Sequence, residues 1–267
     1  DIVNIAYKAR WPIVSNSATR PGLSDRTAYP NFFRTILPDT FYNAAWIGMA
    51  KMLTQNTVVP IIGETQNWAS MGTQLVSDAA AQGVALAGLD LSAEIAGLTG
   101  LQMAIESQTA ASAIASELVR VRQRIVILLM FDKRARLLLC EAYQKGFVNA
   151  VYMSFGWFAG GWWTVDDTAC TPAQVTSQVT GLITANMMHW RSDDDAVLAC
   201  SQRMTVRELK EEWYRRMGTH FGDQSFNAHG YAPSAEAGTT ADAVCMFAKM
   251  LDELLRARGV PLADLAQ

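Results

Sequence analysis

The sequence is poor in the residues that most enzymatic and nucleic-acid chemistry requires. It has three histidines, His189, His220 and His229, and none has a serine or cysteine partner in a nucleophile-elbow context. Neither G-x-x-x-x-G-K-[ST] nor G-x-G-x-x-G occurs, so no phosphate-cradling glycine loop is present. Four cysteines, Cys140, Cys170, Cys200 and Cys245, show no C-x-x-C spacing, which gives a zinc site little support; the even count fits two disulfides and fits buried free thiols nearly as well. Charged residues make up 18% of the chain, with 22 Lys and Arg against 25 Asp and Glu and no basic run. Nucleic acid is therefore not an expected partner. No apolar run reaches the roughly 18 residues that span a bilayer; Ile125 to Met130 is followed closely by Asp132, Lys133 and Arg134. There is no initiator Met before Asp1, no signal-peptide pattern and no anchor motif, so the expectation is a segment cut from a longer protein.

What is present is a globular pattern. Half of the 267 residues are hydrophobic, enough for two lobes or one large α/β unit. Helical spacing over Phe41 to Leu53, Met71 to Ala81, Ala110 to Arg124 and Arg134 to Lys145 alternates with short apolar runs at Val58 to Ile62, Val84 to Leu91, Ile125 to Met130 and Ala150 to Phe155. That alternation predicts a doubly wound parallel sheet, whose ligands sit beyond the carboxyl ends of the strands. The segments Gly63 to Gly72, Phe131 to Arg134 and Ser154 to Trp163 follow strands and are the places to look for function. Thr205-Val-Arg-Glu208 has capping-box form and opens a helix through Arg216. His220 to Thr240 reads as a long surface loop, and Ala241 to Leu255 as a last amphipathic helix.

Four ordered blocks carry more information than the periodicity. They are Ser17-Ala-Thr-Arg-Pro-Gly-Leu-Ser-Asp25 with Tyr29-Pro-Asn-Phe-Phe-Arg-Thr35 and Pro38-Asp39; Phe131-Asp-Lys-Arg-Ala-Arg136 with Cys140-Glu-Ala-Tyr143; Gly156-Trp-Phe-Ala159 with Trp162, Trp163, Cys170-Thr171 and Gly181-Leu-Ile-Thr184; and Glu236-Ala237 with Ala241-Asp-Ala243. Together they resemble the extracellular ligand-binding domain of class C G-protein-coupled receptors, GABA-B receptor-like, within the type I periplasmic-binding-protein and ANF-receptor family. The resemblance implies a two-lobed Venus flytrap fold, each lobe a doubly wound parallel sheet. Residues 1 to 38 and 185 to 267 would belong to the first lobe, truncated at its N-terminal side, and residues 39 to 184 to the second. About 100 to 150 residues of first lobe would lie upstream of Asp1.

The resemblance also implies a site. Thr19, with Ser17 beside it, matches a hydroxyl that holds a ligand carboxylate through charge-assisted hydrogen bonds; turn chemistry is the plainer reading of the same residues. Asp39 matches an aspartate facing the ligand's ammonium, and equally suits an N-cap before Phe41. Glu236 matches an amine-binding glutamate, in a loop where a solvated carboxylate is the default. Trp157 and Trp68 match aromatic ligand contacts, suited to an ammonium by the quadrupole of the ring. Phe131 and Ser154 complete the second-lobe set, while Trp46, Trp162, Trp163 and Trp213 read as packing. Ile36 and Phe131 replace a histidine and a tyrosine of the GABA pattern, which removes two polar contacts. A disulfide between Cys140 and Cys170 is implied; Cys200 and Cys245 have no assigned partner.

The function so implied is capture of a small amino-acid-like ligand by lobe closure, with no cofactor and no catalysis. The expected partners are a second receptor subunit, identical or not, and a G protein reached through a linked transmembrane domain, on the extracellular side of the plasma membrane. The rival readings are a solute-binding protein of an amino-acid or amide transporter and a ligand-silent receptor subunit.

Overall fold

The computed structural model describes residues 8, 11–53, 57–63, 65–87, 108–201, 203–218 and 236–266. The chain divides into two compact units, the first comprising residues 1–19, 23–37 and 188–267 and the second residues 20–22 and 38–187.

The first unit opens with two short parallel strands, β1 (Ile13–Ser15) and β2 (Phe32–Arg34), registered Ile13 to Phe32 and Ser15 to Arg34. The second unit contains α1 (Phe41–Met52), β3 (Thr57–Ile62), α2 (Thr65–Ala81), β4 (Ala85–Leu86), α3 (Gln108–Val121), β5 (Ile125–Leu129), α4 (Asp132–Gln144), β6 (Val151–Phe155), α5 (Pro172–Gln178) and β7 (Ile183–Ala185). The chain then returns to the first unit with α6 (Val206–Arg216) and α7 (Ala237–Asp252).

Within the second unit the five strands pair in the order β4-β3-β5-β6-β7, all parallel. The order reverses between β3 and β5, the point at which doubly wound sheets open a crevice at their carboxyl ends. All five residues of β5 are buried, as a central parallel strand covered on both faces requires. Alternation along the strands sends Val59, Ile61, Val126 and Leu128 to one face, where they meet α3, α4 and α5. Val58, Ile62, Ile125, Ile127 and Leu129 go to the other, against Trp46 and Ile47 of α1 and Met71 and Leu75 of α2. Both hydrophobic clusters lie wholly in this unit. Cys140 and Cys170 are bonded and buried in the first of them.

Some local expectations are corrected. Helix α2 begins at Thr65, not at Met71, because Trp68, Met71, Leu75 and Ala79 form one buried stripe against the sheet. Strand β4 pairs only Ala85 and Leu86 with β3, at Thr57 and Val58, short of Pro60, which has no N–H to donate; residues 88–91 of the expected strand lie outside the described residues. Of the expected loop His220 to Thr240, residues 220–235 also lie outside, and Ala237 to Thr240 form the first turn of α7. Cys200 is bonded to Cys245 of α7, a bridge that no spacing rule suggested. The capping box at Thr205 and Glu208 forms as its sequence predicts, and Thr171 with Gln174 makes a second one at α5. Among the described residues no helix is long and apolar enough to cross a membrane.

Candidate ligand-binding site

The residues singled out by the sequence fall in both units: Ser17, Thr19 and Glu236 in the first, and Asp39, Trp68, Phe131, Ser154 and Trp157 in the second. In the first unit, β1 runs into a turn in which the Ser15 hydroxyl accepts from the Ser17 N–H at 3.3 Å and the Ala18 N–H at 3.0 Å. Ser17 is exposed and Thr19 half-buried beyond that turn. The start of α7 reaches the same place. Asn16 Nδ2 donates to Thr240 Oγ1 at 2.7 Å, and the Thr35 hydroxyl after β2 donates to the Thr239 carbonyl at 2.7 Å. Gly238 permits the approach on its other side, because a Cβ there would collide with the His189 carbonyl oxygen. Glu236 precedes that first helical turn and is exposed, with its carbonyl accepting from the hydroxyls of Thr239 and Thr240, both at 2.9 Å. Asn16, the residue before Ser17, thus ties the end of β1 to the helical turn that follows Glu236. Glu236 and Thr240 also edge a pocket of about 290 Å³ whose walls include Trp190, Leu209, Trp213 and Val244.

In the second unit the site residues are largely aromatic. Trp68 in α2 is buried and Phe131, just before α4, is exposed at 39%; their rings meet edge to face at 5.7 Å. Trp157, two residues past β6, is 40% exposed and lies 5.9 Å from Phe131. Beneath these rings sits Phe155, the last residue of β6, wholly buried. Its ring stacks on Trp68 at 4.7 Å and touches Trp157 at 5.3 Å, Tyr42 at 5.1 Å and Trp46 at 5.2 Å. Phe155 and Tyr42 were not foreseen as parts of the site. The result is an apolar shelf over β3, β5 and β6 at the switch point, with Phe131 and Trp157 as its exposed rim. Gly156 keeps the rim close to the sheet: its N–H donates to the Ala185 carbonyl at 2.6 Å, and a Cβ would meet Asn186 Cβ at 2.8 Å.

Two polar residues accompany the shelf. Asp39 is 5% exposed and precedes α1, whose N-cap is Thr40. Burial, and then the negative charge of Asp39, push the Tyr42 phenol up to about 12, so the phenol stays protonated beside the carboxylate. Ser154 is fully buried, its hydroxyl 3.5 Å from the Phe155 carbonyl. The indole N–H of Trp68 is buried and has no hydrogen-bond partner among the described residues.

A buried cation supports the rim from below. Arg136 in α4 donates from Nε and Nη2 to the two oxygens of Asp167 at 2.8 and 2.6 Å, and from Nη1 to Asp132 and to the Trp162 carbonyl, each at 2.9 Å. The Arg136 hydrogen bond holds the Asp167 carboxyl below the usual carboxylate range. A carboxyl depressed in the folded state stabilises fully above its unfolded pKa of about 4, and that contribution disappears as pH falls through the folded value. Urea midpoints of the parent chain and Asp167→Asn are therefore expected to differ at pH 7 and to converge as pH drops toward 2. A gap that stays constant with pH would contradict the assignment.

Among the described residues no cluster of His, Cys, Asp and Glu could hold a metal ion. The arrangement offers hydroxyls and a carboxylate in one unit, and an aromatic shelf with a second buried carboxylate in the other. Each of these two sets, taken by itself, suits an organic ion.

A family model described as receptor family ligand binding region matches residues 2–265. Gamma-aminobutyric acid type B receptor subunit 1 of Mus musculus is 24% identical over 223 residues, covering 81% of this chain and 21% of the relative. The Rattus norvegicus subunit 1 gives the same figures. The chain spans about a fifth of the length of these curated relatives. A match of nearly the whole chain to the family model, on an α/β fold with parallel sheets, establishes that it belongs to the receptor ligand-binding-region family.

Proposed function

We propose that this chain is the extracellular ligand-binding region of a GABA-B-like metabotropic receptor, and that its two units are lobes that close on a small amino-acid-like ligand. The observation that carries the reading is the aromatic shelf at the switch point, where Phe131 and Trp157 form one contiguous, partly exposed patch in contact with buried Trp68 and Phe155. In this reading Thr19 and Ser17 hold the acid, Glu236 and Asp39 face the amine, and Trp68, Phe131 and Trp157 cover the rest. Ser154 supports β6 below them. A ligand touching both lobes binds the closed form better and draws the equilibrium toward it, and a linked transmembrane domain passes the change to a G protein. The receptor works as a dimer.

The chemistry of the shelf narrows the ligand. Phe131 offers no hydroxyl and Ile36 no ring nitrogen, so a ligand with an apolar side chain fits better than compact γ-aminobutyrate. A thermal-shift panel of amino acids and γ-aminobutyrate, run on the whole ectodomain, tests this. One small zwitterion should stabilise by about 2.7 kcal/mol at a hundred times its Kd. Trp157→Ala should then weaken it about tenfold, or ~1.4 kcal/mol. A flat response to the whole panel at millimolar concentration would replace this reading with a ligand-silent subunit.

A further inference from the structure

The geometry points to Arg136 as a positioning residue: through the loop after β6 it sets where the Trp157 rim stands relative to Phe131. The inference rests on the proposed reading for its functional meaning, and on the geometry alone for its physical claim. Arg136 sits one turn into α4, the helix that Phe131 precedes, and is itself 4% exposed. Its guanidinium reaches out of the helix to two points of the loop 156–171, the Trp162 carbonyl and both oxygens of Asp167.

From those points the rim follows by contact. The Trp162 N–H donates to the Ala159 carbonyl at 3.1 Å, and Gly161 takes φ +72°, closing a short turn around it. The Trp162 ring meets Phe158 at 5.2 Å, and Phe158 meets Trp157 at 4.8 Å. Further along, the Cys140–Cys170 bridge returns the loop to α4. The loop is thus fixed to one helix by a fork and a bridge. The same helical turn holds the neighbouring strand end, because the Arg134 guanidinium donates to the Gly63 carbonyl after β3. Phe131, at the head of that turn, is consequently held against both sides of the switch point.

Arginine is needed for this, not merely positive charge. Its planar fork meets a carboxylate with two parallel bonds and keeps a further N–H for a carbonyl. Lysine, a point charge with rotating donors, can keep the ion pair but not both loop contacts. Of the two carboxylates, Asp167 belongs to the loop, whereas Asp132 lies one turn back on α4 itself. Only the first can transmit position.

The full chain labelled with 5-fluorotryptophan gives a readout that needs no ligand. Trp157→Phe and Trp162→Phe assign the two rim signals, and Trp46, buried under Phe155, reports that the unit remains folded. Arg136→Lys and Asp167→Asn are expected to move or split the Trp157 and Trp162 fluorine signals while the Trp46 signal holds. Asp132→Asn should leave all three in place. The inference is overturned if the rim signals stay fixed in Arg136→Lys, or if Asp132→Asn moves them as far as Asp167→Asn does. If Arg136→Lys fails to fold, Asp167→Asn and Asp132→Asn alone decide it. Because no ligand enters, a silent amino-acid panel would leave this result standing, and a negative result here would leave the ligand reading to its own test.

Discussion

Phe155→Ala is expected to destabilise the second unit by about 3–5 kcal/mol, the range for truncating a fully buried aromatic. Three features place it toward the upper end. Phe155 is wholly buried at the end of β6, so its ring cannot be replaced by water. It touches Tyr42, Trp46, Trp68 and Trp157 at centroid distances of 4.7 to 5.3 Å, and aromatic pairs add about 0.5–1.5 kcal/mol each beyond their area. Those partners come from α1, α2 and the loop after β6, so no single element can move to fill the space. Urea unfolding followed by tryptophan fluorescence reads the loss directly. A change below about 1 kcal/mol would show that the rings repack, and would remove the rigid floor on which the rim residues depend. Trp157 should also become more accessible to acrylamide, since the ring beneath it is gone.

Much of this was legible before any coordinates, and the limits follow a physical rule. Local signals are readable: the Ile125 to Met130 run as a doubly covered strand, which the structure forms over Ile125–Leu129, the Thr205 capping box, the stripe of α1. The aromatic and acidic site residues came from a family resemblance, not from periodicity. What could not be read was anything decided by partners distant in sequence. Arg136 appears in a recognised block, yet its partners Asp167 and Trp162 lie 31 and 26 residues away. Phe155 looked like the end of one strand, because the convergence of other rings on it is a property of the packed sheet. Helix α2 starts earlier than its periodicity predicts: Thr65, Gln66 and Asn67 have turn-like chemistry, whereas the burial of Trp68 against the sheet outweighs it. A similar override starts α7 at Ala237, where Gly238 reads as loop but is required by close packing.

The bridge between Cys200 and Cys245 shows how the same covalent bond can matter differently in two settings. On a chain-entropy model its separation of 45 residues stabilises by about 4 kcal/mol, and the 30-residue separation of Cys140–Cys170 by a few tenths less. Bond for bond they are nearly equal. The units that hold them are not: the second has two hydrophobic clusters and a five-stranded sheet, whereas the first, among its described residues, pairs two three-residue strands and buries Phe32, Val206 and Tyr214. Against a typical domain stability of about 5–15 kcal/mol, a loss of 4 is tolerable for the second unit and decisive for the first. Cys200→Ser with Cys245→Ser is therefore expected to let α6 and α7 exchange their amide hydrogens freely while β3, β5 and β6 stay protected. Cys140→Ser with Cys170→Ser should lower the unfolding midpoint of the second unit without opening its strands. Hydrogen-exchange mass spectrometry resolves both. Protection of α7 at the parent level in the Cys200/Cys245 variant would mean that the helix is held by packing alone, and that the bridge has no part in presenting Glu236 at its first turn.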